Sequence, residues 1–108
     1  MSIQDTISSK VSAQFSNNEW FELINESHMH SVPANSETHF KLTLVSEQFE
    51  SMRKVARHQA MYQLLDHELN NGVHALALHL YTPEEWVERA NASPDSPNCL
   101  GGSSSNNN

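Results

Sequence analysis

The chain is short of cysteine, of basic charge and of long apolar runs, and each shortage closes off a class of function. Its single cysteine, Cys99, rules out an intrachain disulfide and a multi-cysteine metal site within one chain. No apolar run approaches the roughly 18 residues that a bilayer span requires. The start, Met1-Ser2-Ile3-Gln4-Asp5, has neither the basic nor the apolar region of a secretory signal. Six Lys and Arg stand against 13 Asp and Glu, a net charge of −7, which is a poor base for non-specific binding to phosphate backbones. With 37 % hydrophobic and 7 % aromatic residues among 108, one small domain with a modest core is expected. A soluble, cytoplasmic protein is the simplest reading. Enzyme signatures are missing too: there is no GxSxG, no P-loop and no GxGxxG, and Asp66 and Glu68 do not share a helix face. Cys99 falls in a stretch with no packed base to activate it. The chain is therefore not expected to be an enzyme.

What is present is a clear succession of elements. Ile3, Ile7, Val11 and Phe15 recur every four positions and predict a helix over 3–15. Residues 20–25 predict a short strand, and 26–37, with Pro33 and Asn35, a long loop of the kind that often carries function. Over 38–46, Phe40, Leu42 and Leu44 alternate with His39, Lys41 and Thr43, the pattern of a half-buried strand. A connector over 47–54 leads to a second helix over 55–69, with Val55, Met61, Leu64, Leu65 and Leu69 on its buried side. Asn70-Asn71-Gly72 closes it, since glycine tolerates the left-handed conformation of a helix end. Residues 73–81 predict a third strand. Thr82-Pro83-Glu84-Glu85 then has the form of a capping box with proline in the first turn, opening a last helix that ends near Arg89. The helix between strands two and three is a crossover, so those strands should be parallel. The expected fold is α+β, αββαβα, a three-stranded mixed sheet with helices on one face. The domain occupies 1–90, and 91–108, rich in Ser, Asn and Gly, reads as a flexible tail.

Two groups of residues can carry chemistry. Seven histidines are many for this length, yet no HExxH or CxxC accompanies them, which argues against a complete mononuclear zinc site. An incomplete site is a separate matter. Val73-His74-Ala75-Leu76-Ala77-Leu78-His79 places a histidine at the mouth of a strand, and His30 stands in the long loop. If the loop folds over that end of the sheet, the two imidazoles converge and can fill the open positions of a site whose thiolates come from a partner, since mixed His/Cys ligation occurs in [2Fe-2S] clusters. The alternative for His74 is a hydrogen-bonded residue at a strand start. The second group is Arg53, Lys54, Arg57 and His58, three of the six basic residues within five positions. At a helix N-terminus they can face phosphate, or they can simply be solvated. No GxxG loop and no interleaved aromatics make this a standard RNA-binding module.

Several segments together resemble the BolA family. They are Asn25-Glu26-Ser27, His30-Ser31-Val32-Pro33, Ser36-Glu37-Thr38-His39-Phe40-Lys41, Val45-Ser46-Glu47-Gln48-Phe49, Arg57-His58, Val73 to His79, and Tyr81-Thr82-Pro83-Glu84-Glu85-Trp86. The likeness runs over 23–86, and the stretch from Ala92-Ser93-Pro94 to Cys99-Leu100-Gly101-Gly102 is similar to the tail of proteobacterial members. The resemblance implies a class II KH-like fold. It also implies partnership with a monothiol glutaredoxin and glutathione through a shared [2Fe-2S] cluster, with His74 and His30 as this chain's ligands and no cofactor in the isolated chain. A role as a transcriptional regulator of cell shape and stress genes is implied as well, with DNA as a second partner at the helix-turn-helix-like surface of Arg53, Lys54, Arg57 and His58. Two departures stand out. Phe49-Glu50-Ser51 lacks the family's frequent glycine, and Arg57-His58-Gln59 lacks a second arginine.

Overall fold

The computed structural model describes residues 2–29, 33, 36–90 and 94. The order of elements follows the sequence reading closely: α1 (Ile3–Gln14), β1 (Asn18–Asn25), β2 (His39–Ser46), α2 (Lys54–Leu64), α3 (Asp66–Asn70), β3 (Ala75–Tyr81) and α4 (Pro83–Glu88). Short 3-10 turns over Ser27–Met29 and Glu47–Ser51 flank β2. The stretch expected as a tail, apart from Pro94, and five residues of the long loop, His30 included, lie outside the described residues.

Strand β2 is central. It pairs antiparallel with β1 and parallel with β3, as the crossover requires. Alternate residues of each strand therefore face opposite ways. One face sets Phe21 and Leu23, Phe40, Leu42 and Leu44, and Leu76, Leu78 and Leu80 against Ile7, Val11 and Phe15 of α1 and Met61 and Leu65 near the end of α2. The apolar stripe of α1 is thus its buried side, with Ile3 packed at the margin of the core. Both ends of that first helix turn are tied down. Ser2 Oγ accepts from the Asp5 amide, and the Glu37 carboxylate accepts from the Ile3 and Gln4 amides at 3.1 and 3.2 Å. A carboxylate there also suits the positive end of the helix dipole.

Three expectations are corrected. Strand β2 is not half-buried, because Lys41, Thr43 and Val45 are as covered as Phe40 and Leu42. A central strand is shielded on both sides by its neighbours, and the alternation reports only which side is apolar. Val55 is 63 % exposed rather than buried, since it stands at the start of α2, where the helix has not yet reached the apolar core. The second helix is also interrupted at Leu65, whose φ of −105° and ψ of 20° depart from helical values while its side chain is wholly buried. Gly72 does take a positive φ, +133°, where any side chain would be strained.

The last helix starts as its sequence predicts. Thr82 Oγ1 accepts from the Glu85 amide and the Glu85 carboxylate accepts from the Thr82 amide, a complete capping box with Pro83 in the first turn. Trp86 of α4 then stacks on Trp20, with ring centroids 6.3 Å apart, and meets Tyr81 at 5.6 Å. Trp20 and Tyr81 alternate with core-facing Phe21 and Leu80, so Trp86 lies over the sheet face opposite to α1 and α2.

Candidate functional site

Parallel pairing brings the first residues of β2 and β3 to the same end of the sheet. His39 opens β2 opposite Ala75, and His74 immediately precedes β3. The backbone there is pinned, because the Thr38 carbonyl accepts from the amides of His74 and Ala75 at 2.8 and 3.1 Å. Buried Ser27 completes the support. Its Oγ accepts from the amides of Thr38 and His39 at 2.9 and 3.1 Å. A rigid strand mouth with an exposed His74 imidazole results. The His39 ring stands edge-on to it, centroids 6.1 Å apart, and Thr38 Oγ1 lies 2.8 Å from His39 Nδ1. His39 Nδ1 is thereby engaged.

The sequence reading treats His39 as an outward strand residue and does not place it among the metal ligands. The signal was available in combination: strands two and three are parallel, and a histidine stands at or just before the start of each. His30, the residue read as the partner of His74, lies outside the described residues. Exposed His28 follows β1 at the same end of the sheet. Among the described residues no group of three or more His, Cys, Asp or Glu side chains converges to hold a metal ion. Two imidazoles at one strand mouth are a partial donor set.

The basic surface is smaller than the sequence suggests. Arg53 caps α2 and is exposed, as is Lys54, and no side chain caps the helix amides. His58 is half-buried with Nδ1 2.9 Å from the Lys54 carbonyl. Arg57 turns inward and is corrected as a surface residue: it is 5 % exposed and lies over the Phe49 ring. It donates to the carbonyls of Met52 and Leu80 at 3.2 Å and pairs with Glu85 at 2.7 Å. That hydrogen bond first of all holds the Glu85 carboxyl below its usual range, against the opposing effect of burial. A guanidinium with three internal acceptors has little left for an outside phosphate. Its work is to clamp α2 to the ends of β3 and α4. The exposed cations Arg53 and Lys54 therefore sit beyond the C-terminal end of β2, at the opposite end of the sheet from His39 and His74.

A three-stranded mixed sheet with this αββαβα order and a histidine-lined strand mouth defines a small α+β domain. The BolA-like protein family matches residues 11–85, and the chain belongs to that family. A Vibrio cholerae protein named as the DNA-binding transcriptional regulator BolA is 54 % identical over 101 residues, covering 94 % of both chains. An Escherichia coli protein of the same name is 43 % identical over 104 residues, 96 % of this chain and 98 % of its own. The solution structure of mouse BolA1 superposes with a TM-score of 0.75 at 42 % identity, over 94 % of this chain and 80 % of that one. No helix among the described residues is long and apolar enough to cross a membrane.

Proposed function

We propose that this protein is a non-catalytic regulator that acts by binding, first as a DNA-binding transcriptional regulator. The observation that carries this is the 54 % identity over 94 % of both chains to a protein named for that role. The exposed Arg53 and Lys54 at the uncapped start of α2 supply two phosphate contacts. With so few cations on a chain of net charge −7, affinity should depend on those two and fall with salt by about 0.9 log units per log unit for each phosphate contact. Replacing both by Glu should abolish binding to promoter DNA in an electrophoretic or anisotropy assay at low salt. Binding that survives the double replacement would sink the assignment of this surface.

A second binding activity rests on the pair His74 and His39. We read it as this chain's share of a [2Fe-2S] cluster held jointly with a monothiol glutaredoxin and glutathione, in iron–sulfur homeostasis. His74, exposed on a pinned backbone, is the ligand, and either His39 or His30 stands as the second. When bound, the group supplies iron sites whose other ligands are the partner's thiolates. This chain's residues orient the imidazoles. Anaerobic reconstitution followed by visible circular dichroism reads the outcome. Wild-type protein should give a spectrum unlike that of the glutaredoxin alone, and His74→Ala should lose it. An unchanged spectrum with the variant would remove His74 from the ligand set. Because the two surfaces lie at opposite ends of the sheet, each variant should leave the other activity in place.

A further inference from the structure

The fold alone does not account for Lys41, at the middle of the central strand. It faces away from the apolar core and is 6 % exposed. Its register neighbours are Ile24 on β1 and Ala77 on β3, whose side chains offer no acceptor. Among the described residues the ion pairs are Lys10 with Glu68 and Arg57 with Glu85, and the Lys41 ammonium has neither an ion-pair nor a hydrogen-bond partner. The chain carries 13 Asp and Glu, yet none of the described ones comes within ion-pair distance. Glu22, on the same face opposite Thr43, is exposed. A cationic side chain so placed, with no acceptor among the described residues, favours a ligand that supplies one.

The surroundings point to the sign of that ligand. His79 leaves β3 on the same face, opposite Thr43 and one side-chain row along from Lys41. Its imidazole is held below the ordinary histidine range by burial first, and then by the charges of Lys41, Arg89 and His58. The charges acting on His79 are all positive, a local reversal of the chain's acidic balance.

We propose that Lys41 and His79 form an oxyanion-binding site on the outer sheet face, the ammonium bearing the charge and the imidazole N–H donating beside it. The ligand group is a carboxylate or a phosphate, because a compact ammonium and a single N–H match the separated oxygens of either. The site is distinct from the cations that open α2 and needs no metal.

Amide and imidazole NMR shifts of the full chain test it, at constant ionic strength, with inorganic phosphate in one titration and acetate in another. Saturable shifts are expected at Lys41, Ala77 and His79, and the anion giving tighter saturation identifies the source. Lys41→Met should weaken binding by at least about tenfold, Lys41→Arg by less than about threefold, and His79→Gln by an intermediate factor. Shifts that stay linear with both anions in the wild-type protein overturn the proposal, whether or not Lys41→Met folds. So does a saturable response that neither Lys41→Met nor His79→Gln changes.

Discussion

The two faces of the sheet are made from alternate residues of the same three strands, and they differ in almost everything else. The inner face is apolar through its middle and sealed by α1 and α2. The outer face carries His39, Lys41, Thr43 and His79 along its middle, with an aromatic cluster of Trp20, Tyr81 and Trp86 at one end. Burial is similar along β2 on both sides, so exposure does not distinguish them. What differs is the kind of side chain that is buried. Inner-face side chains are satisfied by contact alone, because dispersion and burial are non-directional. Polar groups buried on the outer face need specific acceptors. Stability should therefore reside on one face and binding on the other.

The largest effect should come from the inner face. Leu42→Ala removes a side chain with no exposure at the centre of the sheet, and about 3 kcal/mol of stability should be lost in a urea titration. A loss no larger than that of Lys41→Met would erase the contrast between the faces. Arg57→Ala tests the clamp at the sheet's end, leaving two carbonyls without a donor and Glu85 unpaired. Its cost should be about 2 kcal/mol, below that of a fully buried pair because Glu85 is 32 % exposed. The Arg57→Ala/Glu85→Ala double variant should lose less than the sum of the singles; strict additivity would mean that the pair does not act as one unit.

The smallest effect concerns pH. His79 is depressed in the folded chain, so protonation is harder there than in the unfolded chain. Stability on its account is full above the ordinary histidine value of 6.5 and declines as the pH falls through it toward the lower folded value. Glu85 acts in the same sense in a more acidic window, its contribution being present above 4.5 and lost as the pH falls through its depressed folded value. His79→Gln should flatten the first slope in pH-dependent thermal melts and leave the second. A wild-type slope that persists in the variant would assign it to another group.

Much of the fold was legible in the sequence because it is written in periodic signals. The stripe of α1, the capping box at Thr82 and Glu85, the glycine at 72 and the parallel crossover all follow from local chemistry that the structure repeats. Less of the site could be read. Arg57 and Lys41 look alike in a sequence, two cations on regular elements, yet one is clamped by three internal acceptors and the other has none among the described residues. That difference depends on where β3 and α4 return, which no local pattern encodes. The meeting of His39 with His74 is similar, since it joins residues 35 positions apart through strand register. Family resemblance supplied His74 but gave His39 no role.

Glu85 performs two tasks with one carboxylate, closing the capping box of α4 and neutralising Arg57. Six residues are too few to hold a helix by propagation alone, and such a segment would ordinarily fray on its own. Here unwinding the first turn would also strand the guanidinium beneath Phe49 and release the start of α2. The C-terminal helix is thus bound into the same cooperative unit as the crossover, and a pull on Trp86 is felt at the opposite face of the sheet.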